Sequence, residues 1–204
     1  MAATKTALCQ LALARLGSTT NISDVDADTS QEAKLCRIFY DNALRNVFEE
    51  CDWPFATTTV QIALVETNLT TGWLSHYTYP SDAVRILGVE PTTATVSFQP
   101  NRNYASEFEL VYGPSAKYIA SYHNVSLYCT YIKLVTNVQL YPASFNEAFC
   151  FRLASDLALG LNKSFQLSNA MSTAYLDRIK QAKANQKNEN NVKCVAQVVQ
   201  DRNL

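Results

Sequence analysis

Six cysteines and two histidines are the side chains in this 204-residue sequence best suited to nucleophilic or metal chemistry. Cys9, Cys36, Cys51, Cys129, Cys150 and Cys194 lie far apart with no Cys-x-x-Cys pair, so they read as reduced thiols and not as a disulfide framework. Neither His76 nor His123 has another typical zinc ligand near it in sequence. A Cys–His nucleophile pair stays formally open, but no Gly-x-Ser-x-Gly elbow is present to expose a nucleophile. Asp24, Asp26 and Asp28 are spaced like the start of a calcium loop. The sixth position, which needs glycine, is Thr29, and the twelfth, which needs a bidentate glutamate, is Leu35. These aspartates read instead as a solvated link feeding a helix N-terminus, where negative charge is favoured. Gly160-Leu161-Asn162-Lys163-Ser164 is only a fragment of a phosphate-cradling loop, and five glycines in all are too few to build one. The expectation is a chain with no catalytic residues, no metal and no cofactor.

Eight tyrosines crowd the stretch from Tyr77 to Tyr131. They are candidates for a stacking platform for single strands or sugars. With few basic residues interleaved, strand packing and contact between subunits are the better explanations. Charged residues make up 17% of the chain, against roughly 25% in an average soluble protein. Interface cores exclude charge, so such a surface suits protein–protein burial. The net charge of −1 provides no general attraction for nucleic acid. The distribution is nonetheless uneven: residues 1–52 carry eight acidic and five basic side chains, and 176–204 carry six basic and three acidic. No run of 18 apolar residues exists to span a membrane. The Ala/Leu run near the N-terminus is broken by Gln10 and Arg15 and makes a poor signal peptide, so the protein is expected to stay in the cytosol. The sequons at Asn21, Asn68, Asn124 and Asn162 are then chance matches.

Two helical regions flank a strand-rich middle, predicting an α+β fold. A helix is expected from Thr4 to Leu16, with Ala7, Leu8, Leu11 and Ala14 on its apolar face and Gly17 as its stop. A second opens at Thr29-Ser30-Gln31-Glu32, read as a capping box. It carries Cys36, Phe39, Tyr40, Ala43 and Val47 on one stripe and ends before Pro54. From Thr57 to Val138 the period becomes two, as where Val60, Ile62 and Leu64 alternate with polar or small residues and where Phe108, Leu110 and Tyr112 recur. Five to seven strands in a compact sheet or barrel-like insert are expected there. A second capping box, Ser144-Phe145-Asn146-Glu147, opens a helix with Phe145, Phe149, Leu153 and Leu157 in line, ending near Gly160. A fourth helix, Leu167 to Asn185, aligns Met171, Ala174, Tyr175, Ile179 and Ala182. The economical arrangement is an antiparallel bundle of four main helices with an inserted antiparallel β domain. Its expected parts are residues 1–56 and 139–187 for the bundle, 57–138 for the β insert and 188–204 for an extended tail. The amide-rich tract from Asn185 to Asn191 sets off a short amphipathic segment with Val192, Val195, Val198 and Val199, ending at Leu204. So short a helix is marginal alone and gains order by docking on a partner.

In order along the chain stand Ala12-Leu13-Ala14-Arg15-Leu16-Gly17, Ile22, Asp28-Thr29-Ser30 with Ala33, Tyr40, Leu44-Arg45 and Trp53-Pro54-Phe55-Ala56. Tyr79-Pro80-Ser81-Asp82-Ala83-Val84-Arg85 follows, then Phe145, Phe149, Leu153-Ala154 and Leu157-Ala158. This series resembles the head-to-tail adaptor family of short-tailed phages, often called tail tubular protein A. The resemblance implies a homo-oligomeric ring, usually of twelve subunits, between the portal protein and the tail nozzle protein at the head–tail junction of the virion. Double-stranded DNA would pass through its lumen without sequence readout, and no membrane would be involved. Trp53-Pro54-Phe55 would anchor the bundle-to-sheet junction, Asp82 would cap a turn, and Arg85 would meet an acid across an interface. Portal docking by Val192, Val195, Val198, Val199 and Leu204 is implied by the family's architecture; the tail after Asn185 has no counterpart in the shared motifs. Two alternatives are a head-completion connector of a long-tailed phage and a cytosolic Cys/His enzyme.

Overall fold

The computed structural model describes residues 4–67, 72–92, 107–114, 116–161 and 163–201, with residues 186–201 described as backbone. The fold is α+β and divides into two units: residues 1–55 with 135–204, and residues 56–134. The second boundary falls at 134, a few residues before the Val138 expected from the change of period, because Val138–Leu140 forms a 3-10 turn leading into a helix.

The first unit holds α1 (Lys5–Arg15), α2 (Gln31–Glu50), α3 (Ala143–Gly160) and α4 (Phe165–Asp201). Thr4 caps α1 by accepting the Ala7 N–H. At the other end Gly17 takes φ +70°, and the N–H groups of Gly17 and Ser18 reach back to Ala14 O and Leu13 O. This left-handed stop is the one the sequence predicts, since a Cβ there is unfavourable. Gly17→Ala is expected to cost about 1–2 kcal/mol, read as a lowered urea midpoint.

The buried face of α1 differs from the expected one. Leu8, Cys9, Ala12 and Leu13 are buried, whereas Leu11 is 53% exposed and Ala14 also faces solvent. The stripe is rotated because α1 packs mainly on α3, far away in sequence.

α2 is capped by Ser30 rather than Thr29, and Asp28 Oδ1 in turn accepts the Ser30 N–H at 2.7 Å. Glu32 does not close the box as expected; its carboxylate accepts the Thr20 hydroxyl at 2.9 Å. The second expected capping box is also absent. α3 starts one residue earlier, at Ala143, after Pro142, whose fixed φ suits a helix entry. Its Phe145, Phe149, Leu153 and Leu157 are fully buried, as their spacing predicts. α3 contacts α1, α2 and α4 and is the core element of this unit. On α4, Tyr175, Ile179 and Ala182 are buried on the expected stripe.

The expected break at Asn185–Asn191 is not in the backbone. α4 is one helix of 37 residues, about 55 Å long, so residues 188–201 are helical and not an extended tail. Although four of its seven residues are Asn, the tract lacks Gly and Pro, so nothing in it stops a helix already nucleated upstream.

The second unit contains β1 (Thr57–Ile62), β2 (Leu64–Thr67), β3 (Ser75–Thr78), β4 (Ala83–Pro91), β5 (Phe108–Tyr112), β6 (Lys117–Ser121) and β7 (Leu127–Lys133). They form two antiparallel sheets, β1-β7-β4 and β2-β3-β6-β5. One core of Ile62, Tyr77, Ile86, Val89, Ile119, Leu127, Cys129 and Tyr131 is shared by strands of both sheets. The chain changes sheet at Ala63, so the expected alternation stops there and Leu64 is left 41% exposed.

Candidate functional site

Trp53, Pro54 and Phe55 follow α2 in the first unit. The Trp53 ring is 2% exposed and its indole N–H donates to Val47 O at 2.7 Å, closing the end of α2 on itself. Phe145 of α3 is the hub of the aromatic cluster that receives them. Its ring centroid lies 5.0 Å from Trp53, 5.2 Å from Phe55, 4.7 Å from Phe48 and 4.7 Å from Tyr141. The Trp53 and Phe55 contacts with Phe145 are edge-on, which sets each ring's positive rim against its neighbour's negative face. An open cavity of about 310 Å³ borders the cluster, lined by Trp53, Pro54, Phe55, Pro142, Ser144 and Ala182.

In the second unit Asp82 directly precedes β4. Its carboxylate reaches β7, where it accepts the Tyr131 hydroxyl at 2.9 Å and pairs with Lys133 at 3.2 Å. Its carbonyl also accepts the Leu134 N–H. Burial works against the Asp82 charge, but the Tyr131 hydroxyl and Lys133 outweigh it and hold the carboxyl below its usual value. Burial, with Asp82 beside it, pushes the Tyr131 hydroxyl up to about 12. A carboxyl lowered in the fold contributes stability that is present above its unfolded pKa, about 3.9, and is lost as pH falls through the folded value. Asp82→Asn should therefore flatten the acid limb of the stability–pH curve. The loss at neutral pH should stay below about 1 kcal/mol, because the side chain is 40% exposed and screened. Equilibrium unfolding in urea across the acid range measures both effects. Arg85, also singled out in sequence, lies within β4 in register with Ile132 and is half-buried.

Of the five residues assigned to a docking tail, Val192, Val195, Val198 and Val199 fall on the α4 backbone. Their side chains, and the whole of Leu204, lie outside the described residues.

The described cysteines are all buried. Burial pushes Cys129 up to about 12 and Cys150 up to about 11, so both thiols stay protonated at neutral pH. The hydrogen bond with Cys36, and then burial, push the Cys9 thiol up as well. The thiolate is the nucleophilic form, so Cys9, Cys129 and Cys150 are poor nucleophiles, whereas the hydrogen bond with Cys9 holds the Cys36 thiol below its ordinary value against the effect of burial. Among the described residues, no group of three or more His, Cys, Asp or Glu side chains is placed to hold a metal. The three spaced aspartates are used locally: Asp24 Oδ1 accepts the Asp26 N–H, Asp26 pairs with Lys5 at 2.6 Å, and Arg37 donates to the carbonyls of Val25 and Asp28. Among the described residues, no helix is long and apolar enough to cross a membrane.

Sequence reasoning passed over Trp73. Its indole N–H donates to Glu109 Oε2 at 2.6 Å, and its ring stacks on Tyr122 with centroids 4.4 Å apart. A sequence signal existed: Tyr118 and Tyr122 stand on β6 and just beyond it, opposite in phase to buried Ile119 and Ser121, although Ala120 between them is buried as well. Compared with known proteins, the chain matches no family model and no curated protein.

Proposed function

We propose that this protein is a structural virion subunit, an adaptor ring that joins the portal to the tail nozzle of a short-tailed bacteriophage and extends the DNA channel. The observation that carries this reading is the meeting of two motifs of the resemblance. Trp53-Pro54-Phe55 and the Phe145 helix stand far apart in sequence, yet their rings pack within 5.0 and 5.2 Å. The architecture proposed is an antiparallel four-helix bundle with an inserted antiparallel β domain, the helical part toward the portal and the β part toward the nozzle. The role is mechanical, without catalysis or cofactor: to seal the packaged head and offer a docking face to the tail.

Self-association into a closed ring, twelve subunits in the proposed form, needs head-to-tail contacts between two different surfaces of each copy. Ile38, Leu11 and Phe165, exposed by 63%, 53% and 68%, supply apolar area for such contacts. Portal docking is assigned to the apolar residues Val192, Val195, Val198 and Val199 at the far end of α4, with Leu204 after it. Double-stranded DNA crosses the lumen without sequence readout. The chain is made in the host cytoplasm and ends at the head–tail junction.

The test is co-expression with the portal and nozzle proteins of the same phage, followed by electron microscopy of the purified complex. A ring of this chain seated between the two is the expected result; portal and nozzle joining directly, with this chain left out, would defeat the proposal. Removing residues 192–204 should weaken capture by the portal by tenfold or more, and unchanged capture would remove the docking role from that segment.

A further inference from the structure

The strand register places a second group of side chains on one face of the four-stranded sheet. Tyr77, Ile119, Phe108 and Leu110 are paired neighbours that point into the shared core. The alternate residues therefore form the outer face: Glu66 on β2, His76 and Thr78 on β3, Tyr118 and the fully covered Ala120 on β6, and Glu109 and Val111 on β5. Two ring pairs lie on that face. Trp73 and Tyr122 stack at 4.4 Å with 32° between their planes, and His76 and Tyr118 stack at 5.5 Å with 10° between theirs. Tyr118 and Tyr122 are four residues apart, which is about 13 Å along a strand.

Three features separate this arrangement from ordinary strand packing. The rings are outside the core, and Tyr122 remains 55% exposed although it already has a stacking partner. The indole is held in one orientation by a charge-assisted hydrogen bond of 2.6 Å to Glu109, so its ring face is preorganised. A carboxylate has about four acceptor positions and the indole takes one, which leaves Glu109 able to accept further hydroxyl protons. In addition, the described residues of this face include two carboxylates, Glu66 and Glu109, and no lysine or arginine. Single-stranded nucleic acid needs cations beside its aromatic platform, and this face would repel a phosphate backbone.

We propose that the outer face of the β2-β3-β6-β5 sheet binds a neutral polysaccharide, with Trp73 and Tyr122 as the platform and Glu109 as hydroxyl acceptor. The C–H face of a pyranose ring is slightly positive and flat, matching the negative face of an aromatic ring. Its equatorial hydroxyls point outward in the ring plane, toward an acceptor such as Glu109. The His76–Tyr118 pair extends the platform along the strand, so a short oligosaccharide spans both pairs while a single sugar meets only one. This binding role goes beyond the adaptor reading and does not depend on it.

The full chain is titrated with cellohexaose, xylohexaose, maltohexaose, chitohexaose and dextran, following tryptophan fluorescence and calorimetric heat, with oligothymidylate as the charged comparison. At least one saccharide should bind saturably at millimolar concentration or below, with little dependence on salt. Tyr122→Ala should weaken that binding by tenfold or more, Tyr122→Phe should leave it within a factor of about two because the ring face is kept, and Glu109→Gln should fall between them. Circular dichroism of each variant confirms that the sheet persists. Saturable binding by none of the five saccharides, equal binding by Tyr122→Ala, or salt-sensitive binding of oligothymidylate alone would each overturn the proposal.

Discussion

Replacing Phe145 by alanine is expected to destabilise the helical unit by about 3–5 kcal/mol, the range for large aromatic truncations in a packed core. Phe145 is fully buried and its ring meets those of Phe48, Trp53, Phe55 and Tyr141, so the cavity left behind is bordered by rings that cannot all collapse into it. Edge-on ring pairs also contribute about 0.5–1.5 kcal/mol each beyond the area they bury. Against a total stability of about 5–15 kcal/mol, this loss leaves little margin. Phe145→Leu keeps most of the volume and should cost clearly less. The urea midpoint of the two variants, together with the near-ultraviolet dichroism of Trp53, measures the difference. Equal midpoints for alanine and leucine would show that the ring cluster contributes little.

The second large effect is expected in the β unit, where Tyr77→Ala should also cost about 3–5 kcal/mol. Tyr77 is completely buried among Ile62, Ile119 and Leu127, and its hydroxyl lies 2.7 Å from His123 O and 2.8 Å from Val125 O. The same hydroxyl thus ties β3 to the loop before β7. Tyr77→Phe keeps the ring and removes only that tie, for an expected cost of about 1–2 kcal/mol. Amide exchange at Ile119 and Ala120, whose strand pairs with β3, should accelerate strongly in Tyr77→Ala and modestly in Tyr77→Phe. Burial raises the Tyr77 hydroxyl above its ordinary pKa, so its contribution is present below about pH 10 and declines as pH rises through the folded value.

These two positions differ in how far they could be read from the chain. Phe145 stands at the head of a four-residue repeat, Phe145, Phe149, Leu153 and Leu157, and periodicity alone places it on a buried helical face. Tyr77 was one tyrosine among eight in a region where nearly every second residue is apolar or aromatic. Its burial follows from pairing with Ile119 across β3 and β6, which local spacing does not encode. The tyrosines were legible as a candidate stacking platform, but Trp73 and Glu109 join Tyr122 only in the fold, from three places in the chain.

The sequence by itself determined the local features. The change of period near residue 57, the left-handed stop at Gly17, the buried line of α3 and the rigid turn at Pro54 each depend on neighbours within a few residues. Only the tertiary structure decided which face of α1 is buried, that Ser30 rather than Thr29 caps α2, and that Glu32 turns to Thr20. It also decided that the strands split into two sheets at Ala63 and that Asp82 reaches Tyr131 and Lys133. The physical reason is range. An amphipathic stripe states that a helix has a buried side, but the side is chosen by distant partners, as when Arg15 donates to Glu147 O and Cys150 Sγ to Leu8 O across more than a hundred residues.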